Sequence, residues 1–193
     1  MPIRVAEVRA AAAAYRTRTQ KSDRVILAEA VESERTRFDI FLSHSFDDRE
    51  LVVGTKRLIE DRGLTVYVDW IDDALLDRSA VDRERADHLR TRMQQCDTLF
   101  YAHTPNAALS RWCPWELGYF DALKAPDKQV YVLPVEDDER YEGQEYLSLY
   151  EPVDLASYKH NPTIKREQAR FERDRLFDAF GVRRIPPFGR PIF

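Results

Sequence analysis

Phe38-Asp39-Ile40-Phe41-Leu42-Ser43-His44-Ser45 is the stretch on which the fold of this 193-residue chain turns. It is a short, almost unbroken apolar run that ends in polar residues, and it reads as a buried strand. Downstream, Asp48 to Arg62 places Leu51, Val52, Leu58 and Ile59 on one helix face, and Gly63 stands where a C-terminal cap glycine belongs. Leu64 to Trp70 is rich in β-formers and makes a second strand, and Ile71 to Arg85 is a charged stretch without a dominant period, expected as a long loop. Ala86, Leu89, Met93 and Cys96 recur at helical spacing and lead into a third strand, Asp97 to Thr104.

The alternation continues. A helix is expected from about Ser110 to Lys124, with Pro114 tolerable only in or just before its first turn. Gln129 to Val135 reads as a fourth strand, Glu136 to Tyr150 as an acidic loop, and Pro152 to Ala156 as a short edge strand. Asn161 and Pro162 open a last helix that stops at Gly181. Upstream of the first strand, Val5 to about Arg35 is helical in composition, with Ile26, Leu27, Ala30 and Val31 at the spacing of one face. Residues 1–36 are therefore expected to form an N-terminal helical arm, 37–181 one α/β domain, and 182–193 a Pro-rich tail. The domain is expected as a flavodoxin-like, doubly wound parallel sheet of about five strands in the order second, first, third, fourth, fifth.

Bulk properties narrow the function. A net charge of −4 and the dispersed arginines between Arg83 and Arg92, interrupted by Glu84 and Asp87, argue against nucleic acid as a partner. No apolar run approaches the length of a membrane helix, and the opening residues lack a signal-peptide core, so neither membrane insertion nor export is expected. Cys96 and Cys113, each expected inside a helix, offer neither a disulfide framework nor a metal-ligand spacing, which fits a reducing, cytoplasmic setting and no metal site.

Ligands of doubly wound sheets bind beyond the carboxyl ends of the strands, where the strand order reverses. The first strand ends in Ser43, His44, Ser45, Phe46 and Asp47, the second in Asp69 and Trp70, the third in His103, Thr104, Pro105 and Asn106. The following helix carries Leu109, Trp112, Cys113, Phe120 and Leu123 on one arc with Glu116 near its middle. An ionised carboxylate in an apolar stripe costs several kcal/mol unless it is partnered or used. The residues alone leave both readings open: a structural pair with a nearby Arg or His, or a catalytic group.

Three features together, the Phe38–Ser45 strand, the charged loop after the second strand and Ser-x-Trp-Cys-x-x-Glu-Leu at 110–117, resemble the Toll/interleukin-1 receptor (TIR) domain family over about Phe38 to Phe180. The resemblance implies that Glu116 is the catalytic carboxylate of an enzyme that cleaves NAD⁺, and that Ile71 to Arg85 is the BB loop, which moves during assembly. It also implies self-association through the domain's surfaces and, by analogy with bacterial antiphage proteins, a nucleotide product sensed by a downstream effector. NAD⁺ would be a substrate, with no cofactor required.

The chemistry is consistent with one carboxylate, because breaking the nicotinamide–ribose bond expels a neutral leaving group and passes through an oxocarbenium-like state. Phe46 or Trp70 would stack on a base, and Ser43, His44, Ser45, Asp47, Asp69, His103, Trp112 and Cys113 would line the substrate crevice. Two other readings stay open: a non-catalytic TIR scaffold acting by self-association, and a nucleoside N-glycosidase or deoxyribosyltransferase. Redox use of NAD⁺ is disfavoured, since the turn after the first strand has no glycine-rich pyrophosphate cradle.

Overall fold

The computed structural model describes residues 2–20, 37–68, 83–124, 129–135 and 144–160. At its centre lie five parallel strands, β1 (Phe38–Ser43), β2 (Val66–Tyr67), β3 (Cys96–His103), β4 (Val130–Pro134) and β5 (Glu151–Pro152). Their order is β2-β1-β3-β4-β5, the order expected from the sequence. Ile40 sits opposite Val66, Phe38 opposite Cys96, and Leu99 opposite Val130, so β1 and β3 form the middle of the sheet.

Alternation along the central strands sends successive side chains into two cores. Ile40, Leu42, Phe100 and Ala102 join one apolar cluster, with Val52, Val53 and Ile59 of helix α2 (Arg49–Glu60) and Val8 and Ala12 of helix α1 (Val5–Thr19). Phe41, Leu99 and Tyr101 join the other, with Leu89 and Met93 of helix α3 (Arg83–Gln94) and Cys113, Leu117 and Phe120 of helix α4 (Cys113–Lys124). Because both faces are covered, β1 and β3 are apolar almost without interruption, the pattern of strands in a parallel sheet. Gly63 follows α2 with φ +80°, the left-handed conformation its position required, and its N–H reaches Glu60 O at 2.8 Å.

Several boundaries differ from expectation. Helix α3 begins at Arg83, so Arg83 to Arg85 belong to a helix and not to the preceding loop. Cys96, expected inside that helix, is the fully buried first residue of β3; its apolar spacing reflects entry into the core and not helical period. Leu109 lies in a separate 3₁₀ turn, Ala107–Leu109, and is 83% exposed, while Leu123 also sits at the surface. The buried stripe of α4 is therefore Cys113, Glu116, Leu117 and Phe120, still with Glu116 inside it. β5 stops at Pro152 because Asp154 accepts hydrogen bonds from Ala156 N at 3.3 Å and Ser157 Oγ at 3.0 Å, turning the chain where a longer strand was expected. The apolar stripe at Ile26 to Val31, most of the segment Ile71 to Arg85 and the helix expected after Asn161 lie outside the described residues.

The described part of the N-terminal arm packs on the domain, the favoured of the two arrangements its short apolar stripe allows. Ile3 pairs with Val135 in a parallel bridge, its N–H donating to Pro134 O at 2.9 Å, and α1 then lies along α2. Arg9 and Arg16 both reach the Glu50 carboxylate, at 3.4 and 3.1 Å, an exposed arrangement that contributes little. The close approach depends on Gly54, where a Cβ would come within 2.0 Å of the Val8 carbonyl oxygen, which is backbone and cannot swing aside. We expect Gly54→Ala to push α1 off α2 and destabilise the chain by about 1–3 kcal/mol. Denaturant unfolding that shows Gly54→Ala as stable as the parent would refute this packing.

Candidate functional site

Glu116 occupies the first turn of α4, and its carboxylate meets the carboxyl end of β1. Ser43 Oγ donates to Glu116 Oε2 at 2.6 Å, a short, charge-assisted bond between groups that are each almost fully buried. Two features offset the cost of placing an anion there. The Ser43 hydroxyl satisfies one oxygen, and the position within the first helical turn sets the negative charge at the positive end of the helix dipole.

The start of α4 is built by local chemistry. Ser110 Oγ accepts from the N–H groups of Trp112 and Cys113, both at 3.3 Å, and Pro114 falls in the first turn, where its missing N–H costs nothing. Ser43 follows Phe41 at the two-residue period of β1, so it faces α4 along with Phe41. Strand alternation and the helix cap thus bring the hydroxyl and the carboxylate together from 73 residues apart.

The other expected site residues divide into three groups. His44, Ser45 and His103 are buried at the ends of β1 and β3. His44 Nδ1 lies 2.7 Å from Leu42 O; a carbonyl can only accept, so Nδ1 carries a proton and donates it there. Ser45 spends its hydroxyl oxygen accepting from Asp47 N at 3.4 Å, capping the 3₁₀ turn Phe46–Asp48. Phe46 and Asp47 form an exposed second group, and Arg49 already covers one face of Phe46 with its guanidinium carbon 3.9 Å from the ring centroid. Trp112 and Cys113 form the third. Cys113 is fully enclosed in the core, and Trp112 is half-buried, packed edge-on against Trp115 with centroids 5.3 Å apart. Asp69 and Trp70 lie outside the described residues.

Glu116 is only 2% exposed, so the carboxylate sits at the expected rim of the sheet but under cover, where an open crevice had been expected.

Asp48, Thr104 and Asn106 were not among the expected site residues, yet they tie the two sides of the crevice together. Asp48 is buried at the N-cap position of α2, yet its side chain makes no capping hydrogen bond. Instead its carboxylate accepts from Thr104 Oγ1 and, at 2.7 Å, from Asn106 Nδ2, across the gap between the β1 and β3 ends. Thr104 Oγ1 in turn accepts from Ala107 N at 3.0 Å, and Tyr101 Oη donates to Ala107 O at 3.3 Å, fixing the turn that leads into α4.

A family model described as "TIR domain" matches residues 40–170, most of the chain. The chain belongs to the TIR-domain family. Among its relatives, a Bacillus cereus protein named "Probable 3' cyclic ADP-D-ribose synthase ThsB'" is 53% identical over 116 residues, 58% of each chain. A Cytobacillus dafuensis protein that also bears the name of a cyclic ADP-D-ribose synthase is 25% identical over 117 residues, 58% of this chain and 30% of its own length. The chain therefore spans about three-fifths and under a third of these two relatives.

Within this TIR domain, the Asp48 clamp sets the distance between the two strand ends that flank Glu116. Asp48→Ala strands the buried Thr104 hydroxyl, at a cost of about 1–3 kcal/mol, and also removes the acceptor of the half-buried Asn106 amide. We expect it to lower the unfolding midpoint markedly, with Asp48→Asn milder because one acceptor remains. Equal midpoints for Asp48→Ala and the parent would show that the clamp carries no load.

Proposed function

We propose that this TIR domain cleaves NAD⁺ at the nicotinamide–ribose bond, with Glu116 as the catalytic carboxylate and a cyclic ADP-ribose as the product. The observation that carries the reading is the buried, Ser43-anchored carboxylate in the first turn of α4, beyond the end of β1. Ligand sites of doubly wound sheets lie at that edge, and β1 and β3 flank the reversal of strand order. The names of the two relatives support the product class.

In this mechanism the C–N bond breaks with its electron pair passing to the nicotinamide nitrogen, which loses its positive charge and leaves as a neutral molecule. The positive charge moves to the ribosyl C1′ and its ring oxygen. Glu116 stabilises that charge, and in a site from which water is excluded its field is far stronger than at an exposed surface. Ser43 holds the carboxylate in place, so little reorganisation is needed as the charge develops. Capture of C1′ by an atom of the same nucleotide closes a ring, with loss of a proton where that atom is a hydroxyl oxygen, whereas capture by water gives ADP-ribose and a proton. Burial of the site favours the first outcome by keeping water away. Because Glu116 is covered, substrate entry requires the crevice to open, and the reading includes assembly of copies through TIR surfaces as the event that opens it. The product then acts as a signal to an effector that senses it, in a defence role.

The decisive test is nicotinamide release from NAD⁺ by purified protein. Glu116→Gln, which keeps the shape and removes the charge, should lower the rate by roughly 10³-fold or more. Equal release by parent and Glu116→Gln would leave a non-catalytic scaffold as the better reading. Turnover of free nucleosides in preference to NAD⁺ would favour an N-glycosidase. Chromatography with mass detection separates the products, since a cyclic ADP-ribose lacks the water that linear ADP-ribose contains. Light scattering during turnover should show an oligomer, and a monomer at full activity would remove assembly from the mechanism.

A further inference from the structure

We propose that Asp39, Asp97 and His160 form a divalent metal site of the zinc type at the end of the sheet opposite Glu116. Asp39 is the second residue of β1 and Asp97 the second of β3, and the flanking pairs Phe38–Cys96 and Ile40–Thr98 place them side by side. Adjacent parallel strands run about 4.8 Å apart. Two carboxylates on the same face of neighbouring strands repel each other unless a positive charge lies between them. Here both are largely shielded, Asp97 more than Asp39, with side chains 12% and 28% exposed.

His160 supplies the third group. Its side chain is 8% exposed, and Nε2 lies 3.2 Å from Asp39 Oδ1 and 3.5 Å from Asp97 Oδ2, so all three potential ligand atoms fall within 4.8 Å of one another. These separations straddle the upper limit of an ordinary N–H···O hydrogen bond, about 3.2 Å, so an imidazolium bridging the two acids is the competing arrangement. The same separations fit the edges of a tetrahedral metal site: bonds of about 2.0–2.1 Å put neighbouring ligand atoms roughly 3.3–3.4 Å apart. One nitrogen and two carboxylate oxygens suit zinc or manganese, and the fourth corner would take water.

The groups around the cluster orient it as metal ligands are oriented. Asp39 Oδ2 accepts from Thr65 N and from Thr65 Oγ1, both at 2.8 Å, which turns Oδ1 toward His160. Tyr158 Oη lies 3.4 Å from His160 Nδ1 and the same distance from Thr98 Oγ1, fixing the imidazole from behind. Spacing along the sequence could not disclose such a site, because its ligands come from two strands and from the turn after β5.

Full-length protein stripped with a chelator and dialysed should bind Zn²⁺ stoichiometrically in calorimetry, and its Tm should rise with Zn²⁺ concentration. Asp97→Asn should weaken binding by at least roughly tenfold, and Thr65→Val, which alters only the support of Asp39, by about tenfold. Nicotinamide release by Asp97→Asn should stay at the parental level. Should Asp97→Asn fail to fold, His160→Gln makes the same comparison. The proposal is overturned if neither Zn²⁺ nor Mn²⁺ gives a binding heat or a Tm shift, or if binding is unchanged in Asp97→Asn and His160→Gln. It is equally overturned if the His160 ring titrates as an ordinary imidazolium, identically with and without Zn²⁺, in NMR spectra, because a proton would then be the bridging charge.

Discussion

A carboxylate taken out of water needs a partner, and in this domain Glu116 finds one in the hydroxyl of Ser43 at 2.6 Å. That bond can form only if β1 ends where it does, α4 starts where it does, and both pack on the same core. The Ser110 cap, the first-turn Pro114 and the Asp48 clamp all serve this condition, since each fixes one coordinate of the helix or of the strand end. An unsatisfied carboxylate at the same depth would cost several kcal/mol, a large fraction of the stability of a small domain. Where such a cost is met at the edge of a parallel sheet that already favours ligand binding, packing alone is a poor explanation for keeping the charge.

The two ends of the sheet are built on opposite principles. At the carboxyl ends, two buried acids are held apart by separate hydroxyl and amide partners, Glu116 by Ser43 and Asp48 by Thr104 and Asn106. At the amino ends, two acids stand side by side with one imidazole within reach of both, in partly desolvated surroundings. The first arrangement suits a transient cation and the second a permanent one. Separating them by the length of β1 and β3 keeps either field from disturbing the other.

Helix α1 and Ile3 enlarge the sheet's covering layer. Val8 and Ala12 are fully buried against α2, and Ile3 adds a bridge beside β4. The alanine-rich composition suits this place: α1 meets Gly54 at backbone distance, which a helix with bulky side chains on that face would prevent. The same composition says nothing about which neighbour the helix will choose, because a run of alanines has little directional pattern to read.

Strand order, the two-core layering and the placing of Glu116 in a buried helical stripe were legible in the residues, because apolar periodicity and cap chemistry are local and the rules of parallel crossovers leave few topologies. The Glu116 motif was legible through family resemblance, although Leu109 and Leu123 turned out to face solvent, as residues at the fraying ends of a stripe often do. Asp48 escaped notice because its position is that of a helix cap, and only the proximity of Thr104 and Asn106 redirects its carboxylate. Cys96 was misplaced for a related reason: an apolar residue extends a helical period equally well whether it ends a helix or begins a strand. Among the described residues, the sequence by itself determined the order of strands and helices and which acid sits among apolar neighbours. Only the tertiary structure decided which hydroxyl meets that acid, that the pair is covered, and that Asp39, Asp97 and His160 converge. Such contacts join residues far apart in the chain through strand register, and register is set by the whole sheet rather than by any local stretch.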